Sequence, residues 1–364
     1  MNVQAESIKR VVVRGTNWVG DSVMTVPALR ALRRVLPHAH ITLVIRPGTK
    51  GIFSEADFID EVLVYDRKGP LSVLGQVREW KRRQFDLAVL FQNAFEAALL
   101  PFLAGVPLRL GYVTESRQAL LTHPLPVPDW RSSKHEVFYY LYLVTALEQT
   151  LFGRSDVCES EPDASLTISE SRKAEAAELL RAYGVSEAES VVAICPGSIN
   201  SRAKRWPAER FAALADRLIE SRRKVLIIGS KDELDVSEDV VRRMQNQPVV
   251  LTGKTSLDQI TAVLDRADLI VTNDTGPAHI GAALGRPTIV IFGPTNPLTT
   301  RPFAPEATVL RQPPDCAPCM LRDCPIDHRC MTAITVDDVF EHSHALLKRG
   351  SFAKTVRSLC DSVA

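Results

Sequence analysis

The stretch 272–297, "TNDTGPAHIGAALGRPTIVIFGPTNP", contains Asp274-Thr275-Gly276, the tripeptide that carries the catalytic carboxylate in aspartic proteases. A protease of that kind needs two such loops on a β-rich scaffold, because its paired carboxylates share one proton. This chain has one, set between the apolar run "DLIVT" and the helix-like "GPAHIGAALG". A strand handing over to a helix suits an anion instead, since the first helical N–H groups and the positive dipole end point at it. Gly276 permits close approach, Pro277 suits the first turn and Thr275 adds a hydroxyl donor. A phosphate near Thr275 and Gly276 is one reading; capping of the helix by Asp274 or Thr275 is the other. His279, in the same helix start, is either a ligand contact or a structural histidine.

Three more stretches carry candidate chemistry. In "CPGSINSRAKRWPAERF" (195–211) an apolar run ends in a small-residue turn. Ser198 there can donate from its hydroxyl, and Lys204 brings a mobile positive charge, a pair suited to a diphosphate. The alternative is a solvated basic turn. In "VVVRGTNWVGDSVMTVPALRALRRVLP" (11–37) a strand runs through a glycine turn into a helix. The pattern is neither GxGxxG nor a P-loop, since Asp21 stands where a P-loop needs Lys. Asp21 is a candidate general base or the helix N-cap, and Asn17 and Trp18 in the same loop are candidate binding residues. In "CAPCMLRDCPIDHRC", Cys316, Cys319, Cys324 and Cys330 follow C-x2-C-x4-C-x5-C spacing beside His328. They read as a structural zinc site or as reduced thiols packing a Pro-rich loop.

The elements that must position these residues are legible from apolar runs alternating with amphipathic stretches. Runs at 9–15, 40–46, 61–66 and 85–91 read as buried strands, and a second set follows at 190–197, 224–230, 248–253, 267–274 and 287–294. Helical segments lie between them. One follows Asp21 with Val26, Leu29, Leu32 and Leu36 on one face; another, near 71–83, has Leu71, Leu74, Val77 and Trp80 on its apolar face. This alternation predicts an α/β protein with two doubly wound parallel sheets in series. The polar stretch 150–165 reads as a linker. The expected division is 1–165, 166–349 and a tail over 350–364. Ligands of such sheets bind beyond the carboxyl ends of the strands, and the candidate motifs are read as falling just after strands.

Composition narrows the classes. Of 364 residues, 45% are hydrophobic and 24% charged, as in ordinary globular proteins. Lys and Arg number 44 against 43 Asp and Glu, which names no nucleic-acid partner. The first 150 residues hold 18 basic and 14 acidic side chains, a small excess that fits an anionic small acceptor. No apolar run approaches the roughly 18–20 residues that span a bilayer, and "MNVQAESIKR" lacks a signal-peptide pattern, so the expected location is cytoplasmic. Arg78, Lys81, Arg82 and Arg83 are either a solvated helix face or a contact to an anionic membrane surface.

Taken together, "RGTNWVGDSVMTVPALRALRR", "PGSINSRAKRWP", the 272–297 stretch and "CAPCMLRDCPIDHRCM" resemble glycosyltransferase family 9, the lipopolysaccharide heptosyltransferases, over about residues 9–348. The resemblance implies a GT-B fold of two Rossmann-like domains facing each other across a cleft, acceptor on the first and nucleotide sugar on the second. It implies inverting transfer of L-glycero-D-manno-heptose from ADP-heptose, a substrate rather than a cofactor, to the first heptose of a lipid A-linked inner core. No catalytic metal is expected, and the resemblance implies work in the cytoplasm, either free or in peripheral contact with the cytoplasmic face of the inner membrane. By match, Asp21 takes the base position and Lys204 the diphosphate-binding position. Asp274, Thr275, Gly276 and His279 fall in the donor loop, and either Asp232 or Glu233 takes the ribose-binding position. The loop around Ser198 and Asn200 departs from relatives. Rival expectations are another family 9 transferase, such as heptosyltransferase I, a GT-B-like sugar-nucleotide epimerase, or a nucleotide-sugar binder without catalysis.

Overall fold

The computed structural model describes residues 4–361, with side chains through Arg349. The chain divides between Ser165 and Leu166 into two compact units.

In the first unit β1 (Arg10–Arg14) leads to α1 (Val19–Met24) and α2 (Val26–Val35), then β2 (His40–Ile45), β3 (Glu61–Val64), α3 (Pro70–Arg83), β4 (Leu87–Leu90), α4 (Phe95–Leu103), β5 (Leu108–Tyr112), β6 (His123–Leu125) and α5 (Glu136–Phe152). The strands form one parallel sheet in the order β3-β2-β1-β4-β5-β6, with Val12 beside Thr42 and Ala88. Strands buried on both faces need apolar residues at nearly every position, which is why "VVV", "ITLVI" and "LAVL" read as continuous runs. One core layer gathers Val12, Val44, Tyr65, Trp80, Phe85 and Leu100. Within α3, Val73, Val77 and Trp80 face this layer. Leu71 and Leu74 do not: they are exposed, contrary to the face expected from spacing. The strands β5 and β6 and the long α5 were not anticipated.

The second unit repeats the plan. It runs α6 (Glu170–Ala182), β7 (Val191–Cys195), α7 (Ala208–Glu220), β8 (Lys224–Ile227), α8 (Leu234–Arg243), β9 (Val249–Val250), α9 (Leu257–Arg266), β10 (Leu269–Asn273), α10 (Gly276–Ala283), β11 (Thr288–Phe292), α11 (Pro297–Thr300), β12 (Ala307–Arg311), α12 (Arg329–Thr332) and α13 (Val336–Asp361). The parallel order is β12-β11-β10-β7-β8-β9. The backbone of α13 runs through position 350, where a tail was expected to begin, and residues 362–364 lie outside the described residues.

Both sheets reverse their winding direction once: between β1 and β4, and between β7 and β10. At such a point the loops after neighbouring strands diverge to opposite faces and leave a crevice at the carboxyl edge. Asp21 follows β1; Ser198 and Lys204 follow β7; Asp274 follows β10. Topology therefore puts each at a reversal.

Candidate active site

The two donor-side loops of the second unit are joined through buried polar groups. Asn273, the last residue of β10, is fully buried. Its Oδ1 accepts from Trp206 N (3.0 Å), and its Nδ2 donates to the carbonyls of Pro196 (2.9 Å) and Gly197 (3.1 Å). One side-chain amide thus fixes the loop after β7 against the loop after β10. Asn273 was not singled out in the sequence, although it stands in the quoted motif.

Lys204 and Asp274 complete the junction. Lys204 Nζ donates to Asp274 Oδ2 (2.7 Å) and to Asp274 O (3.2 Å), and Thr295 Oγ1 donates to the same carboxylate oxygen (2.7 Å). Asp274 is buried, so it organises the loop and neither caps α10 nor faces the solvent. An ammonium has three N–H donors, and Asp274 engages two directions, leaving a donor for an incoming oxyanion.

The N-cap position of α10 belongs to Thr275, but its side chain makes no capping bond; Thr275 Oγ1 pairs with Thr272 Oγ1 (3.2 Å) and Asn273 O (3.3 Å). Pro277 has no N–H and Ala278 N donates to Thr275 O (3.1 Å), so the first-turn N–H that this uncapped start offers an anion is that of Gly276. His279 is buried one turn along the same helix, and Ser198 is buried with its carbonyl accepting from Arg205 Nε (3.2 Å) and Nη2 (3.0 Å).

The acids after β8 separate clearly. Asp232 is exposed. Glu233 is buried, and its Oε2 accepts from Ser230 N (2.8 Å) and Ser230 Oγ (2.9 Å) as a capping box. Its Oε1 lies over Gly197, where any β-carbon would come within 2.0 Å of it. Gly197 is thus required for the carboxylate to reach the donor-side turn.

In the first unit Asp21 is the third residue of α1, half-buried, and the N-cap position is held by Trp18 without a side-chain bond. This removes the N-cap alternative for Asp21. The loop before it is pinned by Gly15 N to Val44 O (2.9 Å) and by the hydroxyl pair Thr16–Ser22 (3.2 Å). Trp18 is exposed, and Asn17 Oδ1 is buried without a hydrogen-bond partner among the described residues. Burial pushes the Tyr140 hydroxyl well above its ordinary value, and the negative charges of Asp21 and Glu136 push the same way, which places Asp21 within electrostatic reach of α5. Two buried arginines were missed. Arg14 donates to Gly15 O (3.1 Å) and Val44 O (3.0 Å), and burial followed by the charge of Arg46 lowers its pKa to about 10. Arg117 holds the loop after β4 through Gln92 O (2.5 Å) and Asn93 Oδ1 (3.2 Å). Arg14 at the end of an apolar run was a readable signal; Arg117 carried none.

The sequence profile described as "Glycosyltransferase family 9 (heptosyltransferase)" matches residues 74–329, which contain Lys204, Asp274 and the cysteine-rich loop except for Cys330. The chain belongs to glycosyltransferase family 9. The lipopolysaccharide heptosyltransferase 2 of Escherichia coli (strain K12) is 27% identical over 314 residues, 83% of this chain and 88% of that protein. Among solved structures, E. coli ADP-heptose lps heptosyltransferase II superposes with TM-score 0.78 at 26% identity, covering 94% of this chain and 99% of that one. A glycosyltransferase family 9 structure from Veillonella parvula DSM 2008 gives TM-score 0.81 at 27% identity, covering 96% and 100%. The fold is therefore of the GT-B type.

In this family 9 member the cysteine-rich loop braces the Lys204 loop. Ala203 N donates to Arg322 O (2.9 Å), Arg202 Nε to Asp323 Oδ1 (2.6 Å), and His328 Nε2 lies 2.6 Å from Ala203 O. Met320 N donates to Pro294 O (2.9 Å), which ties the same loop to the end of β11. Cys316 and Cys324 are exposed, Cys319 half-buried and Cys330 buried, all as free thiols. Among the described residues no group of three or more His, Cys, Asp or Glu is placed to hold a metal ion. Losing one neutral hydrogen bond costs about 1 kcal/mol. His328→Ala is accordingly expected to weaken ADP affinity about fivefold, with partial recovery in His328→Gln. Calorimetric titration of ADP reads this, and an unchanged affinity in His328→Ala would remove His328 from the brace.

Proposed function

We propose that this protein is a heptosyltransferase II, which moves L-glycero-D-manno-heptose from ADP-heptose to the first heptose of the lipopolysaccharide inner core with inversion at the anomeric carbon. The observation that carries the reading is the Lys204 ammonium, held by buried Asp274 beside the uncapped start of α10. That arrangement suits a leaving diphosphate. Lys204, the Gly276 N–H and the hydroxyls of Ser198 and Thr275 meet the charge that grows on it, so no metal is part of the proposed step. Asp21 removes the proton from the acceptor hydroxyl as its oxygen attacks the anomeric carbon; the carbon–diphosphate bond breaks on the opposite side and ADP departs. Asn17 and Trp18 orient the acceptor, and His279 supports the donor loop. The acceptor is lipid A-linked, which places the reaction at the cytoplasmic face of the inner membrane. Among the described residues no helix is long and apolar enough to cross a membrane.

Of the two acids after β8, Glu233 is assigned to the ribose, because its Oε1 reaches the Gly197 turn while Asp232 points to solvent. Glu233→Gln keeps an acceptor for the capping box but loses the charge, and is expected to weaken ADP binding by about tenfold. Asp232→Asn should leave it unchanged, and the reverse ranking would transfer the role to Asp232.

The function itself is tested by a donor screen. Purified protein is given ADP-heptose and competing nucleotide sugars with a truncated inner-core acceptor, and products are identified by mass. A product heavier by one heptosyl residue, formed only from ADP-heptose, is expected. Transfer of a different sugar would contradict the assignment.

A further inference from the structure

The outward face of α3 presents an arrangement that folding alone does not require. Leu71 is 82% exposed and Leu74 49%, although buried Trp80 and half-buried Val73 and Val77 pack against the core on the other side of the same helix. Exposed Leu71, Leu74, Arg78 and Lys81 succeed one another at helical spacing and form a single stripe, aliphatic at its start and cationic at its end. Residues 66–84 hold six Lys and Arg against two Asp and Glu. Both acids are engaged: Asp66 with Lys68, and Glu79 with Arg82 and Arg83. Among the described residues neither Arg78 nor Lys81 enters an ion pair.

The neighbouring α4 packs against α3, and Glu96 on it accepts from Tyr65 Oη (3.0 Å) and pairs with Arg67 Nε (2.8 Å) just before α3 begins. Phe95, Phe102 and Leu103 of α4 are also exposed. Leu71, Leu74 and Phe95 lie in the first turns of helices that follow β3 and β4. They therefore stand toward the carboxyl end of the sheet, the end that carries Asp21 after β1.

We propose that the outer face of α3, with the exposed start of α4 beside it, docks this protein on an anionic lipid bilayer. Leu71, Leu74 and Phe95 enter the headgroup boundary, and Arg78 and Lys81 lie against anionic headgroups. Apolar side chains alone fit many partners, but the cations selected onto the same stripe, with the nearby acids already neutralised, match a negative surface. The inference rests on the reading that the acceptor is lipid-linked: docking at this end presents a membrane-anchored saccharide to the Asp21 loop.

The test is co-sedimentation of the full chain, without substrates, with phosphatidylglycerol-containing vesicles and with phosphatidylcholine vesicles. Wild type is expected to bind the anionic vesicles at least about tenfold more tightly, and less so as salt rises. Leu71→Ser/Leu74→Ser and Arg78→Glu/Lys81→Glu should each lose about tenfold or more of that binding, with unchanged thermal midpoints because the sites are exposed. Both should transfer heptose to an acyl-free soluble acceptor as wild type does, and lose activity on the same saccharide anchored in vesicles. Vesicle binding equal to wild type in both variants would overturn the proposal. So would a wild type that ignores vesicles but forms a concentration-dependent dimer that the leucine variant abolishes. Because binding is read without substrate, failure of transfer would refute the function and leave the docking result to stand on its own.

Discussion

Asp21→Asn is expected to lower heptose transfer by about 10²–10⁴-fold while ADP affinity stays within about twofold of wild type. The two side chains have the same shape, and only the asparagine cannot accept the proton. Nothing local should move, since the loop is set by Gly15 N to Val44 O and by the Thr16–Ser22 hydroxyls, and Asp21 does not cap α1. The lost negative charge in the first turn costs about 0.3–1 kcal/mol of helix-dipole interaction, a small change in folding stability. A base acts in the transition state, so kcat and kcat/KM should fall together in steady-state assays. Normal turnover in Asp21→Asn would remove it from the base position and leave the first unit without an assigned proton acceptor.

Lys204→Ala should show a different signature, with two effects that can be separated. The first is on the donor: a charge-assisted hydrogen bond to the diphosphate is worth about 1.5–3 kcal/mol, so kcat/KM for ADP-heptose should drop about 10–150-fold. The second is on stability. Asp274 is buried, and removal of its cation leaves it with Thr295 as the remaining side-chain donor to Oδ2 among the described residues. Breaking a buried pair costs about 3–5 kcal/mol, toward the low end here because Lys204 keeps partial contact with water. Lys204→Ala/Asp274→Asn should recover most of the lost stability, since no unpaired charge remains, yet it should not recover donor handling. Thermal denaturation and donor kinetics on the single and double variants read the two effects apart. If the double variant restores both, Lys204 serves only to neutralise Asp274.

The two parallel sheets were legible because strands buried on both faces force unbroken apolar runs, as in "VVV" and "LIVT". The candidate loops were legible because each follows such a run directly. What the sequence hid was contact across long separations. Asn273 meets Trp206 at 67 residues' distance, and His328 meets Ala203 at 125. No local pattern marks either pair. The short β6, "HPL", contains Pro124, a residue that a sheet accepts at its edge, and β6 is an edge strand. In α3 the leucines misled, because spacing identifies a shared face but not which face the core takes. Trp80, with Val73 and Val77, won that competition and turned Leu71 and Leu74 outward. The tripeptide Asp274-Thr275-Gly276 looked like an acid. Its carboxylate is spent on Lys204 and Thr295, so its part is to shape the loop.

The most direct test of the whole account is single-turnover release of ADP from ADP-heptose, followed with and without inner-core acceptor. Inverting transfer predicts ADP release that depends on the acceptor and matches one heptosyl product per ADP. ADP released at the same rate without acceptor, or an epimerised nucleotide sugar, would contradict it.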